Sequence, residues 1–260
     1  MGSWLTFDVM PTKTNIKNCV EILKIFFKNQ GQIIDSSPMY GQAEKIIGLS
    51  LKNIAESDKK NLFSATKIWT PMNNMGMKQF KDSLDLWSIN KFSLVQVHNL
   101  VNYDSHFELL KNLKKEGKIK YLGVTTSHGS RHEKLINIMK NDEIDFVQFT
   151  YNILDDEAEK YLLPLAKEKR LAVIINRPFQ GGNLFKLSKN KKIPKWIGDY
   201  GINTWSELYL KFIISHPDVT CVIPATSKTK HMNENMQSQF GRLLNQDERL
   251  KIKKYYKNLI

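Results

Sequence analysis

Phe92-Ser93-Leu94-Val95-Gln96-Val97-His98, followed by Ser105-His106-Phe107-Glu108, by Lys115-Glu116-Gly117 and by the run at 119–125, spells out one repeating unit of a fold. The first stretch is apolar and β-branched, closes on an ionisable residue, and reads as a strand. Serine with glutamate three places later is a capping box that opens a helix. Glycine after two charged residues stops it. The run at 119–125 is the next strand. A strand, a helix and a second strand within ~30 residues form the crossover unit of a parallel sheet.

The same alternation extends both ways. Upstream, Ile16, Val20, Leu23 and Phe27 recur at helical spacing and Gly31 stands at the C-cap position. A strand at 32–35, a helix from about 42, a strand at 62–67 and a helix from about 76 lead to His98. Downstream come a helix near 131–140 and a strand at 146–150. Asp155-Asp156-Glu157 then puts acid in the first turn of the next helix, as the helix macrodipole favours. After a strand at 171–176 the stretch 177–203 is irregular, and Thr204-Trp205-Ser206-Glu207 is a second capping box. A strand at 220–224, a helix from about 229 and a closing helix near 247–256 finish the chain. With residues 2–6 as the first strand there are eight strand–helix pairs, which predicts a single α/β domain over 1–260, a (β/α)8 TIM barrel.

Composition narrows the function. The chain has 260 residues, 41% apolar and 25% charged, enough for one large core. No apolar run reaches the ~18–20 residues of a membrane helix, and the start lacks the pattern of a signal peptide. Cys19 and Cys221 are too few for a disulfide framework and suit a reducing cytoplasm. Met1-Gly2-Ser3-Trp4-Leu5-Thr6 fits a loose myristoylation pattern, but these residues have another explanation below. The net charge of +13 is spread as lysine along helix surfaces, as at Lys111, Lys114, Lys115 and Lys118, without regular aromatic interleaving. That argues against nucleic acid and for a general attraction to small anions. His128 and His132 stand four apart, but no carboxylate or cysteine joins them at ligand spacing, so no metal is expected.

Three strands deliver Asp35, Lys67 and His98 at or near their carboxyl ends, where TIM barrels build their sites. Tyr40 follows Asp35 by five positions. A free phenol titrates near ~10. A neighbouring lysine lowers that value, a carboxylate keeps the lysine charged, and an imidazole donates to a carbonyl oxygen. Together they make a proton-donating device.

This ordered set resembles the aldo-keto reductases across nearly the whole chain. Asp35, Tyr40, Lys67 and His98 match the family's catalytic tetrad, and Asp35-Ser36-Ser37-Pro38-Met39-Tyr40-Gly41-Gln42-Ala43-Glu44 matches the signature around its tyrosine. The resemblance implies reduction of an aldehyde or ketone, or the reverse oxidation, with NADP(H) favoured and NAD(H) possible. It also implies that Gly2-Ser3-Trp4 ends the first strand, that Leu122-Gly123-Val124, Gln148, Ile223-Pro224 and Glu234-Asn235 hold the cofactor, and that Gln148 meets its carboxamide. Thr125-Thr126 stands where many members carry serine–asparagine, and Asn176 where many carry a stacking tyrosine. Arg177 or Phe179 could stack instead. Thr226, Ser227, Lys228, Lys230 and His231, before and within a helix start, resemble the pocket for the adenosine 2′-phosphate, with lysine and histidine in place of the usual arginine. Trp4, Met39, Trp69 and Trp205 are candidates to line the substrate pocket, set against plain core packing.

The family's usual amino-terminal hairpin under the barrel has no counterpart residues here. Substrate identity and oligomeric state are open at this level. Two further readings stand beside the reductase: a cofactor-sensing subunit of a larger assembly, and a barrel lyase using Lys67 as a Schiff base.

Overall fold

Seven strands form one sheet in chain order, each parallel to the next: β1 (Ile33–Asp35), β2 (Phe63–Ile68), β3 (Phe92–His98), β4 (Ile119–Thr125), β5 (Phe146–Thr150), β6 (Ala172–Asn176) and β7 (Cys221–Val222). The computed structural model describes residues 1–127 and 129–260. The main helices between and after the strands are α1 (Lys13–Lys28), α2 (Ala43–Leu51), α3 (Gly76–Trp87), α4 (Tyr103–Lys115), α5 (His132–Asn141), α6 (Leu162–Glu168), α7 (Trp205–Ile214), α8 (Thr229–Gln237) and α9 (Gln246–Leu259). Met1 and Gly2 close the ring. Gly2 bridges to Asp35 in parallel, Asp35 N–H donates to Met1 O at 2.9 Å, and Gly2 N–H donates to Pro224 O at 3.0 Å. The result is a (β/α)8 barrel. Among the described residues no antiparallel strand pair lies beneath it.

The first strand is shorter than the sequence predicts. Only Gly2 pairs, because Ser3 O turns back to accept from Thr6 N–H and Phe7 N–H at 3.2 and 3.0 Å. Leu5 takes a left-handed φ of 62° in that turn. Ser3 is meanwhile held by its hydroxyl, which donates to Asp35 O at 3.0 Å and lies 2.9 Å from Ser36 Oγ. Other boundaries shift for similar reasons. Gln30, not Gly31, carries the left-handed φ after α1, and α4 starts at Tyr103 rather than from a cap at Ser105. The acidic turn near Asp156 is a short 3-10 turn, Glu157–Glu159, before α6. Thr204 does cap α7, but Glu207 returns its bond to Asn203 N–H.

Inward-facing side chains change character along the barrel axis. Near the amino ends, Phe63, Ala65, Leu94, Tyr121, Phe146, Ala172, Ile174 and Cys221 pack together. One or two inward positions further along the same strands come Lys67, Gln96, His98, Thr125, Gln148 and Asn176, all partly or wholly buried. Alternation of side chains along a strand places both sets inside. The apolar half holds the ring together and the polar half is free for chemistry. Below the apolar half lies a cavity of about 470 Å³ bordered by Phe26, Phe63, Phe146, Cys221, Met232 and Met236.

Two glycines are required by geometry. Gly41, just after Tyr40, has a φ of +54°, and a Cβ there would fall 2.3 Å from Asp8 Oδ1, which accepts from Gln42 N–H at 2.8 Å. Gly48 lets α2 meet the end of α3, where a Cβ would lie 1.9 Å from Leu86 O. Gly48→Ala is expected to lower stability by about 1–3 kcal/mol, the usual cost of overpacking, although alanine is the better helix former. A urea melt checks this. An unchanged midpoint would show that the two helices separate freely.

Candidate active site

Asp35 sits at the centre of the polar half. Its Oδ2 accepts from Lys67 Nζ at 2.5 Å, and its Oδ1 accepts from Gln96 Nε2 at 3.2 Å and Gln148 Nε2 at 3.1 Å. Lys67 also donates to Ser36 O at 2.7 Å and is wholly buried. Burial pulls the Lys67 pKa down, but Asp35 and Tyr40 outweigh it and the net direction is up, so the ammonium stays charged. The lysine is locked in place, with its Nζ 5.1 Å from the centre of the Tyr40 ring.

Tyr40 lies in the loop between β1 and α2, anchored by its N–H to Ser37 O at 2.9 Å. Its pKa moves opposite to the expectation from sequence. Burial raises it, and the attraction of Lys67 only partly offsets that. The phenol therefore keeps its proton at neutral pH. His98 meets Tyr40 edge to face, 5.6 Å between centres, and its Nδ1 lies 2.9 Å from Ser37 Oγ. Burial first, then Lys67 and Arg131, push the His98 pKa down to about 2, so the ring is neutral.

Behind Lys67, on the outer face of β2, a second carboxylate is buried. Glu44 of α2 accepts from Thr66 Oγ1 at 2.6 Å, Ser83 Oγ at 2.9 Å and Trp87 Nε1 at 3.1 Å. It ties the helix that follows Tyr40 to the strand that carries Lys67.

Tyr40 and His98 open onto a cavity of about 550 Å³ at the carboxyl end of the barrel, which Asp35 and Gln148 also border. Asp35, already paired with Lys67, is the one carboxylate among its described lining residues, and Arg177 adds a cation. A buried Asp–Lys pair thus lies beneath a cleft lined by hydroxyls, amides and one arginine, at the carboxyl end of a parallel barrel. The aldo/keto reductase family model matches residues 1–257. The chain belongs to this family.

Among curated relatives, the aldo-keto reductase YhdN of Bacillus subtilis is 24% identical over 67% of this chain and 56% of its own length. The NADH-specific methylglyoxal reductase of Escherichia coli is 25% identical over 58% of this chain and 53% of its own. The chain thus spans little more than half the length of these two relatives. Among solved structures, an aldo/keto reductase from Klebsiella pneumoniae, in complex with NADP and acetate, superposes with a TM-score of 0.81 at 20% identity, over 98% of this chain and 90% of that one.

Within this aldo/keto reductase barrel the expected residues separate into groups. Gly2, Ser3, Trp4, Met39, Thr125, Gln148, Asn176, Arg177 and Phe179 all border the cavity. Gln148 and Asn176 are already engaged: Thr125 Oγ1 donates to Gln148 Oε1 at 3.0 Å, and Asn176 Nδ2 donates to Thr126 O at 3.1 Å. Phe179 leans on Phe185 and Tyr209, so of the two stacking candidates Arg177 is the less committed. Trp69 is outside the cavity lining, 39% exposed, with its N–H and C=O bonded to the Gln79 side chain. Trp205 packs on Tyr209 and Tyr256 in the core.

Thr226, Ser227, Lys228, Lys230 and His231 form the loop and first turn leading into α8, next to Ala225 at the cavity edge. Lys230 faces Glu234 loosely at 3.9 Å. Pro224 and Asn235 turn the other way. Both border the cavity at the amino end, and Asn235 Oδ1 accepts from Ser206 Oγ at 2.9 Å. His128, one of the two histidines weighed for a metal, lies outside the described residues. Sequence reasoning missed Gln96, Ser37, Asn99 and the Gly181-Gly182 turn. Gln96 and Ser37 sit inside quoted motifs but bond across the barrel, which spacing does not reveal.

The depressed His98 pKa makes a stability prediction. In the unfolded chain an ordinary imidazole, near 6.5, binds a proton that the folded site refuses until about 2. Stability therefore falls as pH drops from about 6.5 and is insensitive to this group above it. His98→Gln should shrink the stability lost between pH 7 and pH 4, measured by urea unfolding at each pH. An unchanged loss would show that His98 is not a source of the acid sensitivity.

Proposed function

We propose that the chain is a nicotinamide-dependent reductase of aldehydes or ketones, running in reverse on alcohols, with Tyr40 as general acid and base. The observation that carries this reading is the buried Asp35–Lys67 pair beside a protonated Tyr40, with neutral His98 at the same cavity wall. A nicotinamide dinucleotide is an anionic ligand that needs amide and hydroxyl partners. The lining fits it, since no carboxylate beyond the paired Asp35 borders the described cavity and Arg177, Thr125, Gln148 and Asn176 supply donors and acceptors. Trp4, Gly181 and Gly182 border the same space. When bound, that cofactor would supply the hydride.

The chain's own residues supply the proton. Tyr40 donates from its hydroxyl to the carbonyl oxygen as charge builds there, and the Lys67 ammonium stabilises the phenolate that remains. Asp35 keeps Lys67 charged and fixed. His98, being neutral, can give the same oxygen a hydrogen bond without having to lose a charge. A Schiff-base role for Lys67 is disfavoured, because an amine held protonated by Asp35 is a poor nucleophile.

Tyr40→Phe should keep the fold while turnover of an aldehyde with NADPH falls by ~10² or more. Lys67→Met should match that loss and also reduce stability, since Asp35 is left without its counter-ion. The double variant should be little worse than either single one in turnover. Near-normal aldehyde reduction by Tyr40→Phe would end this reading.

NADP(H) is favoured over NAD(H), on the charge of Lys228, Lys230 and His231. Charge-assisted bonds to a 2′-phosphate are typically worth ~1.5–3 kcal/mol each. The NADP held by the Klebsiella neighbour agrees with this, and the NADH specificity of the E. coli relative runs against it. Replacing Lys228 and Lys230 by alanine should weaken NADPH and spare NADH in a fluorescence titration. Equal loss for both would remove these residues from phosphate recognition.

One observation favours a second reading, a cofactor-sensing subunit. The amides of Gln148 and Asn176 are spent on Asp35, Thr125 and Thr126 rather than left for a ligand. A single turnover of bound NADPH with no steady-state turnover on aldehydes would support it.

A further inference from the structure

We propose that Ser37 is a positioning residue that fixes His98 as the Nε2–H tautomer, so that the ring offers an N–H to the substrate's carbonyl oxygen. This rests on the carbonyl-reducing reading of the site. Ser37 Oγ lies 2.9 Å from His98 Nδ1, both residues being buried. The same oxygen accepts from Met39 N–H at 3.2 Å. The hydroxyl hydrogen then needs an acceptor, and among the described residues His98 Nδ1 is the one in reach. If Nδ1 carried the ring proton it would donate to Ser37, leaving the hydroxyl hydrogen buried without a partner, which folded proteins avoid. The neutral ring has one proton, so it resides on Nε2.

The opposite edge of the ring is free for this task. His98 borders the cavity, and its Nε2 makes no hydrogen bond among the described residues. With the other tautomer Nε2 would present a lone pair to an oxygen gaining negative charge, and would repel it. Ser37 is well placed to enforce the choice. Its backbone precedes Pro38, which restricts it to extended conformations. Its carbonyl accepts Tyr40 N–H at 2.9 Å. One residue thus sets the backbone of the proton donor and the tautomer of its neighbour.

The test is imidazole ¹⁵N NMR on the full chain at neutral pH, with His98→Gln used to assign the His98 signals. The wild type is expected to show a protonated Nε2 and an unprotonated, hydrogen-bonded Nδ1. Ser37→Ala should give a mixture of tautomers, and Ser37→Thr should restore the wild-type pattern. In steady state, Ser37→Ala should lower kcat by about tenfold, less than the ~10²–10³ of a fully lost oxyanion donor because part of the rings keep the Nε2–H form, with KM and NADPH affinity nearly unchanged. Should the alanine variant fail to fold, Ser37→Cys, a weaker donor of similar size, carries the same comparison. An Nδ1–H pattern in the wild type, or an Nε2–H pattern that survives loss of the hydroxyl, overturns the proposal. An Nε2–H pattern that depends on Ser37 in a chain without carbonyl turnover would uphold the tautomer assignment and overturn the reductase reading instead.

Discussion

The pairing of Asp35 with Lys67 is the constraint on which the upper half of this barrel depends. Both groups are removed from water, at 2% and 0% side-chain exposure, and taking either charge out of water is costly unless the other stays in place. Removing one partner of such a pair typically costs about 3–5 kcal/mol. Asp35 offsets part of its desolvation with Gln96 and Gln148, and Lys67 does so with Ser36 O. Five strands are thereby referred to one carboxylate: β1 by Asp35, β2 by Lys67, β3 by Gln96, β5 by Gln148, and β4 through Thr125, which donates to Gln148. Where Tyr40 and His98 sit is set by this hub, because the loop after Asp35 carries the first and β3 carries the second.

The same hub divides the site between binding and chemistry. Gln148 spends its amide nitrogen on Asp35 and its oxygen on Thr125 and Asn176. A ligand carboxamide would have to replace some of these bonds, so ligand binding and the fine position of Asp35 are coupled through one side chain. Burial raising the Tyr40 pKa follows from the same dry interior. That favours the protonated phenol, the form the proposed proton transfer starts from, while the ammonium beside it favours the phenolate.

Much of the fold was legible because local signals were strong where strands are fully enclosed. The strands β3, β4 and β5 have the bounds that their β-branched runs imply, and Gly117 stops α4 with a φ of +71°. The first strand was not legible, since whether residues 2–6 pair or turn is settled by Ser3 bonding to Asp35 and Ser36, more than thirty residues away in sequence. That Asp35, Tyr40, Lys67 and His98 meet in one place was legible through their ordered residue types. Their electrostatics were not: spacing reveals that Lys67 is near Tyr40, but the direction of the phenol's pKa depends on how dry the pocket is. Which side Trp69 takes was not legible, because it is Gln79, ten residues on, that clasps its backbone while the ring stays outside the cavity lining.

Glu44 shows how far the chemistry reaches beyond the cavity. It lies on the far side of β2 from Lys67, and burial raises its pKa against the pull of its bonds from Thr66, Ser83 and Trp87. Thr66 is the chain neighbour of Lys67, and Glu44 itself sits four residues after Tyr40. Three elements therefore converge on its carboxylate: α2, which continues the tyrosine loop; β2, which carries the lysine; and α3, which packs outside both. Gly48 lets α2 and α3 approach closely enough for all three contacts to form. The separation of Tyr40 from Lys67 is thus set twice, inside the barrel by Asp35 and outside it by Glu44. In the proposed reaction such double fixing matters, because an error of ~1 Å in placing a proton donor can cost ~10²-fold in rate.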